Sequence, residues 1–360
     1  MTALFYILLA IVAAVFIWQV ASILNLKEAI ATEKDNNTQG ILFAAFGIFF
    51  YGLMIFSFWK YSVILLPDSA SVEGESYDTL YLVTMLLILF VQAITQFLLF
   101  YFAFKYRGIK GRKALFYADS HKLEMIWTII PAVVLSGIVL YGLSVWNNVM
   151  DASDAENPLI VEVYAKQFQW EARYAGDDNE LGLANVRKIK GMNTMGVDMT
   201  DKNALDDVPV RELHLPKGRK VIFKFRSQDV LHSAYMPHFR AQMNCVPGMV
   251  TQFAFTPSMT TEEMRMNDAT IAKVEGINKI RAEKGEDPYE FDYLLLCNKI
   301  CGKSHYNMQM KIIVETKVVV RVIATDHYPR VVIVERLLPS INVDPVFFSN
   351  WPTCRVFSEI

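Results

Sequence analysis

Apolar residues dominate the first 150 positions, and a polar, alternating pattern takes over after them. The apolar runs cover roughly Thr2–Leu24, Gly40–Leu66, Thr79–Phe104 and Leu123–Trp146. About 20 apolar residues in a helix span a hydrocarbon core of about 30 Å, so each run is long enough, the second with residues to spare. From Asp151 onward the period changes. Short β-type runs at Leu159–Val163, Val221–Phe225, Gln252–Phe255, Tyr293–Leu296 and Met310–Val314 are separated by Gly, Asn, Asp and Pro. That spacing is expected of a β-sandwich. Thr260–Lys284, rich in Glu, Lys, Ala and Ile, breaks the pattern and reads as a helical insertion between two strands. The pattern therefore predicts four transmembrane helices followed by an all-β sandwich.

Charge orients the expected anchor. Lys105, Arg107, Lys110, Arg112, Lys113 and Lys122 lie between the third and fourth runs, whereas Asp68, Glu73, Glu75 and Asp78 lie between the second and third. Basic loops stay on the cytoplasmic side, which sends both termini and the β half outward. The first run has no positive charge before it and no small-x-small cleavage site, so it reads as a retained span rather than a signal peptide. The chain is 53% hydrophobic with a net charge of −2, a value that averages over two compartments. Neither a glycine-rich phosphate loop nor a nucleophile–base pattern is present, so phosphoryl transfer and hydrolysis have no support, and no nucleic-acid partner is expected.

The candidate chemistry lies in Cys297-Asn-Lys-Ile-Cys301-Gly-Lys-Ser-His305-Tyr-Asn-Met308. Two thiols, an imidazole and a thioether within twelve positions form a soft donor set, which favours copper. A Cys₂His₂ zinc site would leave Met308 without a role. An iron–sulfur cluster normally takes four cysteines, and Cys245 is the one other cysteine of this half before the tail. A second imidazole, His232, follows the β-type run Val221–Phe225. A histidine near one strand and a Cys–His–Met loop after another is the arrangement of a cupredoxin-like sandwich. One thiolate suffices for a single copper; the second can bridge to another, giving a dinuclear site.

On these residues the chain resembles subunit II of haem–copper cytochrome c oxidases. The family loop Cys-x-x-x-Cys-x-x-x-His-x-x-Met is matched at Cys297, Cys301, His305 and Met308, and the distant Asp-Val-x-His-Ser motif at His232. Further matches are Trp127-Thr-Ile-Ile-Pro131 and Val246-Pro247-Gly248, and the likeness runs over roughly residues 80 to 316. The resemblance implies two copper ions in a dinuclear copper A centre, with the Lys299 backbone carbonyl as a further ligand. It implies electron acceptance from a cytochrome c or a cytochrome c domain, and delivery to haem in subunit I for oxygen reduction coupled to proton translocation. Subunit I, other oxidase subunits and the lipid bilayer are the implied partners, in a bacterial inner (plasma) membrane with the copper domain on the periplasmic face. The implied organisation is two additional helices in 1–66, a family-type helical hairpin in 67–150, the external domain in 151–316 with its insertion at 260–284, and a divergent tail in 317–360.

The chain departs from the family in places. The docking motif Gln-Trp-x-Trp reads Gln167-Phe168-Gln169-Trp170, so Phe168 stands where the outer tryptophan is usual, the alternative for both rings, and for Trp170 above all, being sandwich core. Asp229 matches an acidic docking residue, and Asp177, Asp178 and Glu180 either extend a negative surface or form a solvated loop. Lys299 replaces a glutamate whose side chain binds a magnesium shared with subunit I; an ammonium cannot ligate a cation, so that site is expected to be absent or built differently. Glu124 matches a glutamate at the cytoplasmic mouth of a proton path, the alternative being helix-end solvation. Cys245 reads as a small buried residue, and Cys354 has no assigned role. After Thr316 the likeness stops, which leaves two readings: a tail peculiar to this lineage, or a displaced reading frame. Two competing classes are a copper delivery protein, which would want an exchangeable site, and a quinol oxidase subunit, which would lack the copper ligands.

Overall fold

A computed structural model describes residues 2–24, 32–62, 66–150, 152, 155–316, 320–325 and 328–334. The chain divides into two compact units, residues 1–63 with 85–128 and residues 64–84 with 129–360. Four long helices come first: α1 (Thr2–Leu24), α2 (Glu33–Tyr61), α3 (Val72–Lys105) and α4 (His121–Met150). Among the described residues, α2, α3 and α4 are long and apolar enough to cross a membrane. In α1 the apolar stretch with described side chains is shorter, Leu9–Ala21.

Within the first unit, α2 lies against the later turns of α3 through small residues. A Cβ on Gly47 would come within 2.7 Å of the Phe100 ring, and Phe43 meets the same ring at 4.9 Å between centroids. Such close approach at glycine is how helices associate in lipid, where apolar burial gives them little drive. Tyr51 donates to the Ala93 carbonyl at 2.7 Å and Arg107 to Asn37 Oδ1 at 2.6 Å, so these polar groups find partners within the unit. Thr32 caps α2 reciprocally with Asp35.

The third helix starts earlier than its apolar run, at Val72 rather than Thr79. The reason lies in the second unit, where the acidic residues read as loop are helical and anchored. Arg240 grips both Asp78 oxygens, at 2.6 and 2.8 Å, and Glu73 accepts the Thr256 N–H at 2.7 Å. Glu73 and Glu75 also occupy the first turn, where the helix dipole favours negative charge.

The β half forms two five-stranded sheets around one core. The first has the order β3-β2-β1-β5-β8 and the second β4-β10-β9-β6-β7. Their strands are β1 (Leu159–Lys166), β2 (Gln169–Tyr174), β3 (Val208–Val210), β4 (Leu213–Pro216), β5 (Val221–Ser227), β6 (His232–Met236), β7 (Ala241–Cys245), β8 (Thr251–Phe255), β9 (Tyr293–Cys297) and β10 (Gln309–Glu315). The pairs β1–β5 and β4–β10 are parallel and the other neighbours antiparallel. Alternate residues such as Phe223 and Phe225, Leu213 and Leu215, and Ile312 and Val314 point into the shared core. Between β8 and β9 the chain runs through α5 (Thr261–Arg265) and α6 (Asp268–Glu283).

Several of these strands escape the apolar pattern. β2 carries Glu171 and Arg173, β7 carries Gln242 and Asn244, and β3 and β4 have only three and four residues. After β10, a hairpin of β11 (Val320–Thr325) and β12 (Tyr328–Val334) pairs antiparallel. Residues 317–319 and 335–360 lie outside the described residues, and with them Cys354 and most of the stretch on which a displaced frame would bear. Asp151, the expected start of the outward half, lies outside them too.

Candidate metal centre

Sheet pairing brings the distant histidine to the cysteine loop. His232 opens β6 and Cys297 closes β9; their strands pair antiparallel, with Ala234 opposite Cys297. The loop between β9 and β10 is closed at both ends. The Cys297 N–H donates to the Met308 carbonyl at 3.1 Å, and the Asn298 N–H to the Ser233 carbonyl at 2.9 Å. Gly302 sits at φ +139, and a Cβ there would lie 2.8 Å from the Phe168 ring. Backbone and ring therefore meet where no side chain fits. A short 3₁₀ turn over His305–Asn307 then delivers Met308.

All six expected donor groups converge. Cys297 Sγ lies 3.9 Å from Cys301 Sγ, 3.7 Å from His232 Nδ1 and 3.2 Å from the Lys299 carbonyl. Cys301 Sγ lies 3.6 Å from His305 Nδ1 and 3.9 Å from Met308 Sδ. His232 is fully buried, Cys301 and Met308 nearly so, and Lys299 is exposed. The sulfurs are far beyond disulfide bonding at about 2.05 Å. At metal–sulfur and metal–nitrogen distances of about 2.3 and 2.0–2.1 Å, two ligands of one ion lie at most ~4.6 Å (S,S) or ~4.4 Å (S,N) apart. The observed separations fall inside those limits, so the residues fit a bound transition metal. The two imidazoles approach different thiols, as a pair of metal positions requires. Burial and the neighbouring Cys297 thiol push Cys301 up to about 11, so a metal must displace that proton to bind.

The hydrogen bonds around the donors fix their orientation. Asp229 Oδ1 is 2.9 Å from His232 Nε2, which leaves Nδ1 to face Cys297. A carboxylate behind a metal-ligating imidazole sets its tautomer and basicity. Asp229 also accepts the Gln167 and Val230 N–H groups at 2.8 and 2.7 Å. Burial opposes its charge, but these bonds and that of His232 together hold the carboxyl below its ordinary range. Both oxygens of this expected docking residue are thus engaged inside the protein. Trp170 is buried, its indole donates to the Met308 carbonyl at 3.4 Å, and its ring meets His232 edge-on at 6.1 Å. Phe168 is half-buried against Gly302, and the Gln167 amide donates to the Cys301 carbonyl.

Other expected residues lie apart from this group. Asp177, Asp178 and Glu180 occupy the loop after β2, tied to Asp206 and Asn203. Glu124 stands in the first turn of α4 in the first unit, with His121 Nδ1 3.5 Å away. Cys245 is fully buried on β7 opposite His232, and burial pushes its thiol up to about 12; it is not part of the metal-competent group. Sequence reasoning missed the bonds of Gln167 and Trp170 to the loop carbonyls, since nothing in a single strand reveals a contact across the sandwich. Asp229 had a readable signal, a carboxylate three positions before the candidate ligand His232.

Apolar helices long enough to cross a membrane are followed by a β-sandwich that gathers two thiols, two imidazoles and a thioether, a soft-donor group able to hold a metal. Residues 58–145 match the family described as cytochrome C oxidase subunit II, transmembrane domain. The chain is 34% identical over 220 residues to the alternative cytochrome c oxidase subunit 2 of Bradyrhizobium diazoefficiens, covering 60% of this chain and 68% of that protein. It is 21% identical over 288 residues to cytochrome c oxidase subunit 2 of Thermostichus vulcanus, covering 73% and 78%. Among solved structures, the periplasmic domain of subunit II of cytochrome oxidase from Bradyrhizobium japonicum aligns with 45% of this chain and 86% of its own, at 19% identity and a TM-score of 0.26. The chain belongs to the cytochrome c oxidase subunit II family and is a subunit of a membrane-bound oxidoreductase complex.

Proposed function

We propose that this chain is the electron-accepting subunit of a terminal cytochrome c oxidase, holding a dinuclear copper A centre on a cupredoxin-like domain outside a bacterial inner membrane. The observation that carries the reading is the convergence of His232, Cys297, the Lys299 carbonyl, Cys301, His305 and Met308 at 3.2–3.9 Å between neighbouring donors. Two coppers held by these residues would supply one-electron chemistry, with the charge shared between them. The remaining work belongs to the protein. Asp229 holds the His232 tautomer, and the bonds from Cys297 and Trp170 to the Met308 carbonyl fix the loop against rearrangement. Ile300 and Tyr306 on that loop are each 87% exposed and offer an apolar face to a donor.

The donor is a cytochrome c or a cytochrome c domain, and the acceptor is haem in subunit I, where oxygen is reduced with proton translocation. The division of the chain into two added helices, a helical hairpin, an external domain and a divergent tail belongs to this reading, with α1 as the fourth span. Glu124 would serve proton uptake at the cytoplasmic surface, and Glu124→Ala should slow it with copper binding unchanged. The Lys299 ammonium cannot ligate a cation, so the magnesium site shared with subunit I would be missing or built differently. A magnesium bound by the residue-299 side chain in the assembled complex would refute that. To test the main reading, the copper-loaded chain is mixed with a reduced c-type cytochrome in a stopped-flow spectrometer. Haem oxidation concurrent with bleaching of the copper bands is expected. An unreactive cytochrome, with copper instead passing to a chelator, would indicate a delivery protein.

A further inference from the structure

Between β2 and β3 the chain makes a long excursion, residues 175–207, that carries Met192, Met195 and Met199. Its turns are fixed. Asn193 accepts the Val197 N–H at 2.9 Å and donates to the Val197 carbonyl at 2.8 Å. Thr194 donates to Glu171 Oε2 at 2.8 Å, and Arg226 to the Met195 carbonyl at 3.1 Å. Gly196 has φ +66, and a Cβ there would lie 2.1 Å from the Asn185 carbonyl oxygen. All three methionines line one cavity of about 510 Å³, Met195 buried and Met192 and Met199 exposed. Asp207 lines it too, only 4% exposed, and its Oδ1 has no hydrogen-bond partner, although Oδ2 pairs with Arg173 and the Gly182 N–H.

We propose that Met192, Met195 and Met199 form a second metal site, a thioether site for Cu(I) with the free Asp207 oxygen at its wall. Thioethers are soft and select Cu(I), whereas Mg²⁺, Ca²⁺ and Mn²⁺ prefer oxygen donors. They need no deprotonation to bind. In an oxidising compartment they also cannot close into a disulfide, which is the hazard facing an empty Cys297–Cys301 pair. Met192 and Met199 are exposed and Met195 is buried along the same cavity, so an ion from solvent has a path to the inner thioether. The site binds copper without any change of oxidation state.

The test uses the full chain in detergent, carrying Cys297→Ser and Cys301→Ser so that the outcome does not depend on the dinuclear centre. Cu(I) is titrated anaerobically against a chromophoric Cu(I) chelator. One equivalent should remain on the protein, and adding Met192→Leu and Met199→Leu, which conserve volume, should weaken it at least tenfold. Methyl resonances of the three methionines, followed with ¹³C-labelled methionine, should shift together with the same equivalent in the Cys-to-Ser chain. No retained copper, retention unchanged by the leucines, or unshifted methyl groups would overturn the proposal. A failure here leaves the two-copper spectrum of the wild-type chain as a separate test of the oxidase reading.

Discussion

At Glu162 the β domain buries charges that answer one another, whereas at Cys297 it gathers lone-pair donors that face each other. Glu162 receives Arg173 Nε at 2.6 Å and Arg226 Nε at 2.5 Å, and Arg173 reaches on to Asp207. The side chains of Glu162, Arg173 and Asp207 are each at most 6% exposed, so each charge has an opposite partner supplied by the chain itself. The loop after β9 and His232 of β6 bring together two thiols, two imidazoles and a thioether at 3.6–3.9 Å, a set that an added cation would satisfy far better than its members satisfy one another. One cluster pairs its charges within the chain, with Asp207 Oδ1 alone left over; the other is a set of soft donors that a metal would complete.

The strongest way to break that contrast is at the loop. Cys297→Ser or Cys301→Ser should abolish the two-copper spectrum while leaving the unfolding midpoint of the metal-free domain nearly unchanged. At the ionic cluster the pattern should invert. Glu162→Ala removes the carboxylate shared by Arg173 and Arg226, leaving buried Arg173 to Asp207 alone, and should cost about 3–5 kcal/mol in urea unfolding, with the copper spectrum intact. A spectrum lost with Glu162, or a stable Glu162→Ala chain, would dissolve the distinction.

Two histidines sharpen it further. His232 has Asp229 behind it, whereas His238 packs edge-on against Phe291 and Tyr293, near Lys273 and Arg240, with Asp68 as the acid in reach. Burial first, then those two cations, push His238 down to about 4. Because its folded value lies below the unfolded one of about 6.5, the unfolded chain binds more protons between pH 4 and 6.5. Stability is therefore lost as pH falls through that window. The shift of 6.5 to about 4 corresponds to an upper bound on the order of 3 kcal/mol. His238→Gln should flatten that slope in denaturation curves taken across the window. Asp229→Asn keeps the shape but not the charge and should weaken copper about 10–100-fold in chelator competition. Smallest is Trp170→Phe, which removes the indole bond to Met308 and should cost about 1 kcal/mol, with a small change in copper hyperfine coupling.

The donor set was legible because it is local. Cys297, Cys301, His305 and Met308 share one loop, so their grouping can be read from spacing alone. Three spans of the anchor, α2 to α4, were legible for the same reason, since an apolar run long enough to span lipid needs no tertiary information. The start of α3 was not, because Asp78 and Glu73 are helical through Arg240 and Thr256, more than 160 positions away. The ionic cluster was equally hidden: its members come from β1, β2, β5 and the loop before β3, where each looks like an ordinary surface charge. Asp229 shows both sides, since its position before His232 could be read but its engagement by Gln167 could not.

The most direct test of the account is the electron paramagnetic resonance spectrum of the full chain reconstituted with copper. Hyperfine splitting from one electron shared equally by two copper nuclei is expected, and it should be lost in Cys301→Ser. Splitting from a single copper, or a silent site that takes zinc instead, would contradict it.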